Sequence, residues 1–364
     1  MILDIVKVFL PAVGAFIVGI LMTPVLTNFL YSHKMWKKVS VKKTIDGLDA
    51  TISASLHKDE EKKIPRMGGI VVWGSVFITI SIIWLLAEFV SGPILINLDI
   101  LSRSQTWIPF ATLIIGALVG LVDDFLVTRD PADSKYEGSY VGGGLSLSKR
   151  LLVVAVIALL CSIWFYFKLD VNSIGLPAIW GGSLFLGAFF IPLFVLIIIS
   201  IYAGGVIDGI DGLSGGVFAA MFAAYGGIAF YQQQFDLAAF CAAVIGGILA
   251  FLWFNIPPAR YYMSDTGMMG LTITLGVVAF MTDKLGGGYG VLVLPIIALP
   301  LVVTVSSDII QLLSKKFRGK KVFLVAPLHH HFEAIGWPAY KVTMRYWIVS
   351  IICAIAGITL ALIG

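Results

Sequence analysis

The chain has 364 residues, 59% hydrophobic and only 13% charged, with a formal net charge of +4 and a mean hydropathy of +0.97. A soluble domain carries roughly a quarter charged residues, so that class is excluded. The apolar runs, about 20 residues each, are long enough to span a bilayer as helices, and the alternation expected of a membrane barrel is missing.

The predicted class is an all-α, polytopic integral membrane protein. Ten candidate spans follow one another at 6–31, 68–90, 105–122, 150–167, 182–203, 215–231, 236–254, 267–282, 290–313 and 342–363. The first is read as a membrane helix rather than a cleaved leader, because it is long, contains Pro24 and lacks a basic start. Pro295 and Pro300 are expected to bend or break the ninth span, and Pro192 the fifth. Cys161, Cys241 and Cys353 all fall in apolar runs and are read as small buried hydrophobes.

Lys and Arg set the orientation. One set of loops and flanks carries 21 of the 25, and the other holds only Lys7, Arg103, Lys168 and Lys284. Positive residues stay in the cytoplasm, which predicts both termini outside and the larger loops inside. The outer loops are short and show little chemistry. The basic loop 32–67, with its HKDEEKK cluster, is read as a topology determinant against anionic lipid or as an aid to capturing an anionic substrate.

Four inner segments concentrate unusual polarity. Asp123 and Asp124 follow the third span in GLVDDFLVTRDP. Neighbours on a helix point about 100° apart, so the pair could share a cation only from a frayed helix end; plain solvation is the alternative. GGVIDGIDGLSGG, 204–216, sets Asp208 and Asp211 three apart among glycines, side by side if the turn is helical. NIPPARYYMSDTG, 255–267, offers Tyr261 and Tyr262 as flat faces and Asp265 either as a helix cap or as a ligand. APLHHHFE, 326–333, could aim two of three consecutive histidines at one anion. Carboxylates alone repel phosphate, whereas Mg²⁺ takes one or two carboxylates plus phosphate oxygens. These residues therefore point to a Mg²⁺-assisted enzyme acting on a phosphate ester at an active-site cleft on the cytoplasmic face.

The DD pair, DGIDGL, LWFN…MSDTG and APLHHHFE…GW together resemble the phospho-N-acetylmuramoyl-pentapeptide transferase family, part of the polyprenyl-phosphate N-acetylhexosamine-1-phosphate transferases. The resemblance runs from PRMGG at 65–69 to the last span, and it implies one transmembrane transferase domain over 1–364 in the bacterial inner membrane. It implies transfer of phospho-N-acetylmuramoyl-pentapeptide from UDP-N-acetylmuramoyl-pentapeptide to undecaprenyl phosphate, giving lipid I and UMP, with Mg²⁺ as cofactor. Partners would be those two substrates and the lipid bilayer, with no nucleic acid; a homodimer is compatible. By motif position, Asp123 and Asp124 would place the lipid phosphate, and Asp265 and Asp208 would serve the metal. His329 and His330 would line the pyrophosphate region, and His331 would join the substrate-binding residues. Gly209, Asp211, Tyr262 and Asn255 would form the uridine pocket.

The chain departs from the family pattern where Tyr202 and Gly205 replace asparagines, Val127 replaces a lysine and Arg66 replaces a threonine. Arg66 or Arg129 is expected to compensate for the lost lysine. The competing functions are a relative using UDP-N-acetylglucosamine, which HHHFE opposes, a secondary transporter, and an inactive scaffold. A transporter predicts carboxylates near mid-membrane; the candidate ones fall at span ends.

Overall fold

The computed structural model describes residues 2–37, 64–90, 92–129, 144–177 and 182–363; the HKDEEKK cluster lies outside them. In lipid, a spanning segment must satisfy its own backbone hydrogen bonds, and the apolar runs accordingly form helices. In chain order they are α1 (Ile2–Ser32), α2 (Ile70–Phe89), the short α3 (Pro93–Leu98), α4 (Trp107–Thr128) and α5 (Leu147–Lys168). After a small sheet come α6 (Phe190–Ala203), α7 (Leu213–Tyr231), α8 (Phe235–Asn255), α9 (Ser264–Met281), α10 (Gly290–Ile297), α11 (Leu299–Arg318), α12 (Leu328–Ala334) and α13 (Ala339–Ile363). Among the described residues, nine helices are long and apolar enough to cross a membrane. The pair α10–α11, bent by 65°, makes a tenth span if counted as one.

Pro295 inside α10 and Pro300 in the first turn of α11 flank that bend, as expected. Pro192 does not bend the fifth span. Strand β1 (Ser173–Gly175) pairs antiparallel with β2 (Ser183–Phe185), so α6 starts only at Phe190. Pro192 therefore falls in the first helical turn, where its missing N–H costs nothing. The third span is longer than expected: α4 runs through Thr128, so Asp123 and Asp124 are built into the helix rather than held on a frayed end.

Helix α9 is the hub, with 94% of its span buried. It packs against α4 through small residues. A Cβ on Gly120 would overlap the Asp265 carbonyl oxygen, and one on Gly116 would come within 3.0 Å of the Gly270 Cα. This close approach sets the aspartates of α4, one turn beyond Gly120, against the first turn of α9. At the other end of the bundle, Asp283 accepts hydrogen bonds from Gly175 N (2.6 Å) and Val291 N (2.9 Å), tying β1 to α10.

Burial pushes the Asp283 carboxyl up to about 6, against the pull of those backbone donors. Its folded pKa exceeds its unfolded one, so its contribution to stability is fully present below about pH 4 and is lost as pH rises through about 6. Thermal unfolding of wild type and Asp283→Asn across pH 4–7 should differ in slope over that window and run parallel above it.

Candidate active site

The site forms where α4 ends, α9 begins and the loop 204–212 turns back into α7. The two aspartates of α4 are fully buried and diverge, as adjacent helical residues must. Asp124 Oδ2 accepts from both the N–H and the hydroxyl of Thr266 (2.9 and 2.6 Å), while Arg66 Nε donates to its Oδ1 at 2.9 Å. Asp123 Oδ1 accepts from Leu145 N at 2.5 Å, and Arg150 Nη2 lies 2.7 Å from its Oδ2.

Asp208 and Asp211 are not side by side. The backbone at Asp208 leaves the helical region (φ −76°, ψ 69°), and the two side chains part. Asp208 accepts from Ser214 Oγ (2.7 Å) and Ser264 N (2.8 Å), and Asp211 Oδ2 accepts from Ala259 N (3.0 Å). Burial pushes the Asp208 carboxyl up against the pull of its two donors. The first turn of α9 is thus capped from a distance, by Asp208 at Ser264 and Asp124 at Thr266, leaving orphan amides satisfied. Ser264 itself adopts a left-handed backbone (φ 54°), strain of a kind that accumulates at functional sites.

This arrangement frees Asp265 from capping. Its carboxylate is partly exposed, with Arg150 Nη1 at 3.1 Å and Arg66 Nη2 at 3.6 Å from Oδ2. It also lies within hydrogen-bonding reach of Asp123. Arg66 reaches the cluster because its segment is laced to the 255–267 loop: Tyr262 N donates to Pro65 O and Gly68 N donates to Tyr262 O. Burial opposes the charge on Arg66, but Asp124, Asp265 and Asp208 outweigh it and hold its pKa above the ordinary value. Of the two proposed compensating arginines, only Arg66 is in the cluster. Arg129 instead covers the Phe125 ring at 4.6 Å.

Arg150 is the residue that sequence reasoning missed. It was counted only as a topology determinant, yet it bridges Asp123 and Asp265 and hydrogen-bonds the hydroxyl of Tyr202, which replaces a family asparagine. Its place four residues into the fifth helical segment, after a loop partly outside the described residues, carries no motif that would have exposed it.

The three histidines sit on the short helix α12, not on a loop. Two converge on Gly209. A Cβ there would overlap His329 Nε2 and lie 2.8 Å from His330 Nε2. His329 is fully buried, and His330 Nδ1 is 2.7 Å from Glu333 Oε2. His331 turns away, accepting from Leu324 N at 3.3 Å and meeting the Phe323 ring edge-on. Asn255 spends its amide inside the protein, accepting from Gly212 N and donating to Tyr261 O, both at 2.8 Å. It joins the two loops that carry Asp211 and Tyr262 rather than opening onto a pocket. Tyr261 is fully buried against Phe251 and Phe254, which removes it as a stacking face, whereas Tyr262 is half-buried.

Four carboxylates and two guanidiniums leave the cluster two charges negative, with Asp123 and Asp265 close together. That is a fit for one divalent cation held by one or two carboxylates and completed by phosphate oxygens, as Mg²⁺ prefers. Among the described residues no three acidic, histidine or cysteine side chains form a metal cage. Asp208 accepts from Ser214 and Ser264, and Asp123 is fully buried against Leu145 N and Arg150, so Asp265 is the best-placed single carboxylate.

A polytopic helical bundle with carboxylates and guanidiniums gathered at one end fits the class of membrane-embedded transferases. The model of glycosyl transferase family 4 matches residues 106–283. A phospho-N-acetylmuramoyl-pentapeptide-transferase of Chloroflexus aggregans is 30% identical over 99% of this chain and 91% of its own length. One from Anoxybacillus flavithermus is 31% identical over 97% of each chain, and one from Listeria innocua 29% identical over 94% and 95%. The chain belongs to the phospho-N-acetylmuramoyl-pentapeptide-transferase family. It is a multi-pass transferase of the bacterial inner membrane.

Proposed function

We propose that this protein transfers phospho-N-acetylmuramoyl-pentapeptide from UDP-N-acetylmuramoyl-pentapeptide to undecaprenyl phosphate, releasing UMP and forming lipid I, with Mg²⁺ as cofactor. Family membership supports the reaction. The observation that carries the reading to this chain's own residues is the convergence of Asp123, Asp124, Asp208 and Asp265 with Arg66 and Arg150.

Asp265 would hold Mg²⁺, which when bound neutralises charge on the pyrophosphate. An oxygen of the lipid phosphate bonds to the β-phosphorus of the nucleotide. The bond from that phosphorus to the bridging oxygen breaks, and the oxygen leaves with UMP. The acceptor phosphate is already anionic at neutral pH, so the protein's task is positioning and charge balance. Arg66 and Arg150 offset the carboxylates so that a polyanionic substrate is not repelled. His330, held against Gly209 beside the fully buried His329, would present an imidazole nitrogen to a phosphate oxygen. Direct transfer is favoured over a covalent aspartyl intermediate because Asp123 and Asp124 are buried and already hydrogen-bonded.

Purified protein with undecaprenyl phosphate and Mg²⁺ should release UMP from UDP-N-acetylmuramoyl-pentapeptide and not from UDP-N-acetylglucosamine. The reverse preference identifies the related sugar-phosphate transferase, and no release from folded protein identifies a scaffold. Isolation of a chemically competent phospho-aspartyl species without acceptor would refute direct transfer.

The same assay separates the two arginines. Arg66→Ala leaves Asp124 buried without its guanidinium, a loss on the order of 3–5 kcal/mol for a broken buried pair. Both melting temperature and UMP release should fall. Arg129→Ala removes a contact worth about 0.5–1 kcal/mol and should leave UMP release unchanged.

A further inference from the structure

The histidine helix α12 has seven residues, well short of the ~12–15 at which a helix begins to hold itself together in water. Its position is therefore set by its tethers. On one side His329 and His330 meet Gly209. At its far end Phe332 stacks on Trp337, with ring centroids 4.7 Å apart. The remaining tethers come from α11, which supplies no carboxylate or guanidinium to the cluster.

Helix α11 ends at Gly319, whose left-handed backbone (φ 63°) turns the chain back on itself. The returning strap, 320–328, runs antiparallel along one face of α11. Ser307, Gln311 and Ser314 stand on that face at i, i+4 and i+7, and all three are buried. Each makes a rung. Ser314 Oγ donates to Lys320 O at 2.8 Å. Gln311 Nε2 donates to Phe323 O at 2.8 Å, and its Oε1 accepts from Val322 N and Phe323 N at 2.9 and 3.0 Å. Ser307 Oγ accepts from Leu328 N, the first residue of α12, at 2.9 Å, while donating to Thr304 O. Asp308, the neighbour of Ser307, lies in electrostatic range of His330. The rungs thus lead directly to the imidazole at Gly209.

Gln311 is the central rung and makes three of the five bonds between α11 and the strap. Its side-chain amide meets the backbone of Phe323 through both a donor and an acceptor, as a neighbouring strand does. Losing it strands two buried N–H groups and a carbonyl, which the strap can satisfy only by moving.

We propose that Gln311 is a positioning residue for the transfer reaction: by fixing the strap to α11 it holds the start of α12, and with it His330, at the place beside Gly209 where the phosphate is met. This role presupposes the transferase reaction proposed above. Gln311 acts through the backbone of 322–328 and not on the substrate.

The test is a double-mutant cycle on purified protein with undecaprenyl phosphate, Mg²⁺ and UDP-N-acetylmuramoyl-pentapeptide. Gln311→Met keeps the side-chain length and removes all three bonds. It should lower kcat about 10²-fold, the scale of a displaced positioning group, with KM for the nucleotide nearly unchanged. In a His330→Ala background the same change should cost less than about twofold, because the imidazole it positions is gone. A merely structural role makes the two losses multiply instead. Ser307→Ala removes the last rung and should cost about tenfold, the scale of one hydrogen bond. Its loss should vanish in His330→Ala in the same way, and it carries the test if Gln311→Met does not fold. Hydrogen exchange over 320–328 should be faster in either variant, a readout independent of turnover. Multiplying losses, wild-type kcat in Gln311→Met, or unchanged exchange would each overturn the proposal. Folded wild-type protein that releases no UMP refutes the transferase reading and the positioning role with it, whereas multiplying losses in an active protein refute the positioning role alone.

Discussion

Asp265→Asn should lower UMP release about 10³-fold, the scale of removing one group that stabilises charge in a transition state, while leaving the melting temperature nearly unchanged. The separation of the two effects follows from the hydrogen bonds. The amides of the first turn of α9 are satisfied by Asp208 and Asp124, so Asp265 is not needed to start the helix. Its oxygens instead face Arg150, Arg66 and Asp123. Asp124→Asn should behave differently, losing stability as well as turnover, because Asp124 is buried and serves Thr266 and Arg66 together. Thermal melts in detergent beside UMP-release assays decide it. An Asp265→Asn protein that melts early, or turns over normally, contradicts this assignment.

Gly209→Ala is expected to cost about 10²-fold in turnover, since small misplacements of positioning groups carry penalties of that order. The new methyl group would overlap His329 Nε2 and approach His330 Nε2 to 2.8 Å. His329 is fully buried and has no room to retreat, so the loop 204–212 or α12 must move. The overpacking should also cost about 1–3 kcal/mol of stability. A double change, Gly209→Ala with His329→Ala, relieves the closer overlap and should recover stability without recovering turnover. If Gly209→Ala matches wild type in both assays, the imidazoles do not act from the positions seen here.

The helical class, the spans and the polar clusters were legible in the sequence because they depend on local composition. A run such as 268–281 becomes a helix in lipid whatever its neighbours are. The bend between α10 and α11 was legible for the same reason, since a proline removes its own hydrogen bond wherever it stands. Pro192 shows the limit: its effect depends on where the helix starts, and that was decided by pairing of Ser173–Gly175 with Ser183–Phe185.

The roles within the site were less legible, because spacing along the chain does not tell which atoms meet. Asp208 and Asp211 looked like a pair and point apart. Arg150 looked like one more inner-face cation and bridges two of the carboxylates. Asn255 reads as a pocket residue and instead holds two loops together.

By itself, the sequence determined that this chain is a membrane-embedded helical transferase with its carboxylates and histidines near span ends, because hydrophobicity and motif identity are properties of the residues alone. The tertiary structure decided that Asp265 stays partly exposed, that Arg66 and Arg150 pair with the carboxylates, and that His329 and His330 meet at Gly209. Those outcomes rest on the approach of α4 to α9 at Gly120 and on the turn at Gly209, where contacts between segments far apart in sequence set the geometry.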